Sequence, residues 1–160
     1  MLRSAVVLLL LVVVPLSGLE LTFRVTGAVK CTLRTRNWIN ITLMEVCHVP
    51  FPRRSPQDDH ESNDPVIDKR DYLMDWFMSG RLSLGGKMSD GLFHTHVEPY
   101  LIVSTNCTED GTVIQKCLGL PEVTENSSIE IGLLSVPSFK PLQAFDCDRF
   151  FEIKNITLKR

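Results

Sequence analysis

Beyond its first eighteen positions the chain has no apolar run of membrane-spanning length, and it has no marked excess of charge of either sign. Its 17 basic and 19 acidic side chains give a formal net charge of −2. That balance leaves no electrostatic footprint for nucleic acid or an anionic membrane, so neither is expected as a partner. No Cys-x-x-Cys pair occurs, which removes zinc knuckles and thioredoxin-type redox motifs. No Gly-x-Ser-x-Gly elbow and no phosphate-binding glycine loop occurs either. No helical pattern longer than about two turns is legible. Each absence narrows the reading toward an all-β chain with no expected cofactor or catalytic residues.

What is present begins at the amino terminus. Met1-Leu2-Arg3 is a short basic start, Ala5 to Leu16 is almost wholly apolar, and Pro15 with Ser17-Gly18 supplies small residues for cleavage. This is the layout of a secretory signal peptide over residues 1–18. A membrane anchor is the competing reading, but the apolar run is about a dozen residues and a spanning helix needs roughly 20. The expectation is a secreted, extracellular product with one domain over residues 19–160.

The five cysteines are Cys31, Cys47, Cys107, Cys117 and Cys147. In an oxidising compartment they are expected to pair, and the odd count leaves at least one unpaired within the chain. Four sequons, at Asn40, Asn106, Asn126 and Asn155, agree with that compartment. An occupied sequon marks a solvent-facing side chain, because a glycan cannot be buried. Asn126 lies in a polar stretch, whereas Asn106 has Cys107 inside its own tripeptide.

From Leu19 onward the apolar residues recur with a period of two. Leu21, Phe23 and Val25 alternate with Thr22, Arg24 and Thr26, the pattern of a half-buried strand. Gly27 interrupts the alternation, which suggests a bulge. Ile39, Ile41 and Leu43 share one face of a second strand, and Trp38, Asn40, Thr42 and Met44 share the other. Asn40 thereby projects away from the expected core. Residues Val49 to Arg70 hold four prolines and an acidic run, so they are expected to form a long exposed loop. Asp71 to Met78 fits helix or strand. Asp90-Gly91 reads as a turn, Leu92 to Val97 and Pro99 to Val103 as strands, and Ile129 to Leu134 and Phe150 to Leu158 as the last strands. Some seven short strands of this kind predict a small antiparallel β-sandwich.

Several of these segments together resemble the nematode transthyretin-like family. They are Val25-Thr26-Gly27-Ala28-Val29-Lys30-Cys31, Ile41 to Val46, Asp71-Tyr72-Leu73-Met74, Ser89-Asp90-Gly91-Leu92-Phe93, and Glu98-Pro99-Tyr100-Leu101-Ile102-Val103-Ser104-Thr105-Asn106-Cys107. The likeness covers most of residues 21–107 and, more loosely, 112–158. It implies a secreted sandwich of two sheets with seven to eight strands, and a disulfide between Cys31 and Cys107. In the chain-entropy treatment such a bridge stabilises by roughly 4–5 kcal/mol. Partners for Cys47, Cys117 and Cys147 stay open. The chain departs from the family pattern in its Pro-rich insertion, in Cys147, and in lacking a basic motif after Cys117.

The same resemblance bears on catalysis. Enzymatic relatives of transthyretin that hydrolyse 5-hydroxyisourate end in Tyr-Arg-Gly-Ser, whereas this chain ends Thr157-Leu158-Lys159-Arg160, so it is expected not to be an enzyme. His94-x-His96 is the one candidate metal pair, since strand positions two apart face the same way, with Glu98 as a conceivable third donor. Solvent-facing histidines explain the spacing with fewer requirements, because a metal site needs a full ligand set and outer shell. No metal is therefore expected. A rival reading takes Lys69-Arg70 as a dibasic processing site and residues 71–80 as a secreted amidated peptide. The reading preferred from the residues is a non-enzymatic binding module whose partner is an extracellular protein, a lipid or a small hydrophobic ligand, with the loop Val49 to Arg70 and the Asp90-Gly91 turn as its recognition surface.

Overall fold

The computed structural model describes residues 19–33, 36–46, 65–75, 79–90 and 96–150. Its strands are β1 (Leu19–Cys31), β2 (Asn37–Glu45), β3 (Val66–Met74), β4 (Ser79–Asp90), β5 (Pro99–Thr105), β6 (Ile114–Gly119), β7 (Ser127–Val136) and β8 (Ala144–Phe145). They form a three-stranded sheet in the order β4-β1-β7 and a five-stranded sheet in the order β3-β2-β5-β6-β8. A single helical turn occupies 147–150. The architecture is the expected small all-β sandwich, with one pairing that departs from a purely antiparallel arrangement: β1 and β7 run parallel.

Alternation explains the core between the sheets. Leu21, Phe23 and Val25 of β1 are buried while Glu20, Thr22 and Arg24 are exposed. Ile39, Ile41 and Leu43 of β2 meet Leu101 and Val103 of β5 and Leu118 of β6 on the same inner side. The opposite side of the five-stranded sheet carries a second apolar cluster, formed by Met44, Val46, Tyr100, Ile102, Cys117 and Phe150. Strand β5 is therefore covered on both faces, which is why Pro99 to Val103 reads as a continuous apolar run. Near Phe150, Gly119 leaves room for the ring: a Cβ there would lie 3.3 Å from Phe150 Cε2.

The irregularity expected at Gly27 falls on its neighbour. Strand β1 pairs with β4 without interruption through Gly27 and Leu82. The register with β7 shifts between Thr26 and Ala28, from Thr26–Glu130 to Ala28–Leu133, so the extra residue lies in β7. There Gly132 adopts φ +67°, a left-handed conformation that glycine takes at little steric cost.

At one side the two sheets meet edge to edge. The Gly85 N–H of β4 donates to Asp68 Oδ2 of β3 at 3.1 Å. Gly80 and Gly86 of β4 lie under Tyr72 and Ile67 of β3, where an added Cβ would come within 2.5 Å and 2.8 Å of those side chains.

Three expectations need correction here. Residues Val66 to Arg70 belong to β3 rather than to the exposed loop; their charges suit an edge strand, which tolerates Lys and Arg on its exposed positions. Phe150 lies in the helical turn instead of opening a strand, and 151–158 lie outside the described residues. Of the strand expected over Leu92 to Val97, the described part, His96 and Val97, forms only an isolated bridge, between Val97 and Val123.

Candidate functional site

One end of the sandwich brings His96, Glu98 and Glu122 together beside the buried Glu45. Strand β2 ends there at Glu45, paired with Pro99 at the start of β5. The Val46 N–H donates to the Glu98 carbonyl at 3.1 Å, and the Leu120 N–H donates to the Pro99 carbonyl at 3.2 Å. Just outside β5, Val97 and Val123 exchange two backbone hydrogen bonds of 2.8 and 2.9 Å. Both valines are buried, so this two-residue ladder is anchored in the core.

The antiparallel bridge sets the residues that flank it. Glu122 falls opposite Glu98, and His96 lies on the other side of Val97 from Glu98. One ligand atom from each of His96, Glu98 and Glu122 lies within 4.8 Å of the other two. Glu98 is 5% exposed, His96 is half-buried and Glu122 is exposed. An imidazole and two carboxylates at this spacing can accept protons or hold a divalent cation. The expected partner His94 lies outside the described residues. Glu122, which the sequence reading missed, arrives from 24 residues farther along the chain than Glu98. Only knowledge of the Val97–Val123 pairing could have pointed to it.

Glu45 is a second residue without a role in the sequence reading. It is 2% exposed, and its Oε2 accepts a 3.2 Å hydrogen bond from the Ser89 N–H. That contact joins the end of β2 to the end of β4, next to Asp90. Because Met44 pairs with Val66, the chain leaves β2 and returns into β3 at this same end. The segment expected as a recognition loop is thus rooted beside Glu45, Glu98 and the end of β4. Residues 47–64 and 91–95 themselves lie outside the described residues.

A shallow, mainly apolar cleft of about 470 Å³ has Pro121, the residue before Glu122, in its lining. Gly119, Leu120, Leu142, Phe145 and Phe150 line it, with Pro141 and Gln143. Near its wall, Lys116 Nζ bonds to Asp146. That hydrogen bond, together with the charge of Lys116, holds the Asp146 carboxyl below its ordinary range.

The Cys31–Cys107 disulfide lies away from this end, whereas Cys117 and Cys147 pack with Met44, Val46, Tyr100 and Phe150. Cys31, the last residue of β1, is joined to Cys107, just past β5, across 76 positions. The bridge ties the two sheets together, and Asn37 Nδ2 donates to Cys31 Sγ at 3.1 Å inside the core. A second disulfide joins Cys117 of β6 to Cys147 of the helical turn, a pairing that the sequence left open. Cys47 lies outside the described residues.

The sequons fall in different settings. Asn126 is exposed and its Oδ1 accepts from the Thr22 N–H at 2.7 Å. Asn106 is half-buried and its Oδ1 accepts from the Trp38 N–H at 2.8 Å. In both, the bonded atom is the oxygen rather than the nitrogen that a glycan takes. Asn40 Nδ2 instead donates to Asp71 across β2 and β3, so one of its two amide hydrogens is already in use. Asn155 lies outside the described residues.

Of the segment weighed as a released peptide, Asp71 to Met74 is paired with β2 and Ser79-Gly80 with β1. Among the described residues no helix is long and apolar enough to cross a membrane. In comparisons with known proteins, no family model matches the chain and no curated protein matches it.

Proposed function

We propose that the chain is a secreted, non-enzymatic extracellular binding module of the transthyretin-like class. The observation that carries this reading is the pair of disulfides, Cys31–Cys107 and Cys117–Cys147, in an all-β sandwich. Structural disulfides persist in oxidising compartments, which agrees with the signal-peptide layout and the four sequons. Support for a binding role comes from the construction of one end. A sandwich that roots a long polar segment beside the end of β4 presents that segment on a fixed frame, the usual arrangement for recognition. The absence of a nucleophile motif or phosphate loop in the sequence weighs against catalysis.

The partner belongs among extracellular proteins, lipids or small hydrophobic ligands. Capture from native extracellular fluid on the immobilised chain tests the site: alanine blocks between Val49 and Asp64 should abolish retention of the captured species. Retention undiminished by every block places recognition elsewhere and removes the proposed surface.

A further inference from the structure

We infer that His96, Glu98 and Glu122 form a binding site for a divalent transition-metal cation of the zinc type, a property separate from partner recognition. The donor set comes first. One imidazole nitrogen and two carboxylate oxygens suit Zn²⁺, which takes His and Asp/Glu ligands and often leaves a fourth position to water. Calcium requires six to eight oxygen ligands, and two carboxylates with a histidine do not supply them.

The scaffold comes next. Two reciprocal hydrogen bonds between Val97 and Val123 fix the backbone on both sides of the cluster, and the Val46 N–H holds the Glu98 carbonyl from a third direction. Two donors therefore come from one strand segment and the third from directly across the bridge. Ligand atoms around a tetrahedral ion with bonds of about 2.1 Å are about 3.4 Å apart. The observed limit of 4.8 Å exceeds that by roughly 1.4 Å. Glu122 is exposed and His96 half-buried, so rotation of their side chains can close the gap while Glu98 stays fixed.

Burial supplies the third argument. Glu98 is almost fully buried and stands opposite Glu122 across the bridge. A cation held between them is partly screened from water, so its attraction to a carboxylate is stronger than in bulk solvent.

Isothermal titration of the intact secreted chain with zinc chloride tests the inference, with calcium and magnesium chloride run in parallel. The expected result is one Zn²⁺ per chain, no comparable calcium or magnesium binding, and a melting temperature that rises with zinc. H96A and E122Q should each weaken the binding by at least about tenfold, the lower range seen even for outer-shell changes. Glu122 is exposed, so E122Q should melt like the parent chain without zinc, which separates loss of the ion from loss of the fold. H48A/H60A, which removes two other histidines, should bind as the parent does. Absence of a stoichiometric zinc equivalent overturns the inference, as does parental affinity in H96A and E122Q or loss of binding in H48A/H60A. None of these outcomes depends on whether a partner is captured by the 49–64 segment.

Discussion

The Tyr72 hydroxyl of β3 donates a 3.0 Å hydrogen bond to the Arg81 carbonyl of β4. These are edge strands of different sheets, so the bond closes the sandwich along one side. Tyr72→Phe should cost about 1 kcal/mol, the net worth of one such hydrogen bond, measured by urea unfolding. Burial lifts the Tyr72 phenol above its ordinary 10.0; the Arg70 cation opposes the lift and the Asp68 carboxylate adds to it. The fold therefore favours the neutral phenol. That contribution is complete below pH 10.0 and is lost as pH rises through the raised folded-state value. Y72F should remove this alkaline component of the stability profile. A variant whose alkaline limb superimposes on the parent's would contradict the burial of Tyr72.

Gly27 and Gly132 face each other across the β1–β7 irregularity and should respond differently to alanine. At Gly132 nothing lies within 4 Å of an added Cβ and φ is +67°, so the cost is one of backbone conformation, about 1–2 kcal/mol. At Gly27 the Cβ would lie 2.5 Å from the Gly132 carbonyl oxygen, which forces the two strands apart. Gly27→Ala should be the more destabilising in denaturant titration; the reverse order would place the extra residue in β1.

The two disulfides differ in the length of chain they close, 76 against 30 positions. Chain-entropy reasoning gives about 4–5 kcal/mol for the longer loop and about 3–4 kcal/mol for the shorter. The double variant C31S/C107S should therefore lose more stability than C117S/C147S, read from guanidinium midpoints at matched slopes. Equal losses would mean that the inter-sheet tie adds little beyond packing.

Phe150 covers the outer face of the five-stranded sheet, its ring 5.2 Å from that of Tyr100 and 6.3 Å from that of Phe145. Truncation to alanine should cost about 3–5 kcal/mol, as for other buried aromatic rings. A loss below about 1 kcal/mol, the scale of a surface substitution, would show that the helical turn does not seal that face.

The inner faces of β1 and β2 were legible because each strand alternates cleanly, with Leu21, Phe23 and Val25 in one and Ile39, Ile41 and Leu43 in the other buried as expected. Strand β3 was hidden in part because an edge strand can be as polar as a loop: Asp68, Lys69 and Arg70 carry no periodic signal. Strands β6 and β8 are short, and β8 has only two residues, too few for a pattern. The parallel run of β1 beside β7 joins segments about a hundred positions apart, beyond any local signal. Glu98 stood out beside His96, whereas Glu122 did not, since their proximity depends on that kind of long-range pairing.

Peptide mapping of the secreted product by mass spectrometry, without reduction, bears most directly on the central claim. The expected product is one glycosylated chain that begins near Leu19 and carries Cys31–Cys107 and Cys117–Cys147 bonds. Cleavage after Arg70 with release of an amidated peptide, or recovery of these four cysteines as free thiols, would contradict a disulfide-bonded extracellular binding module.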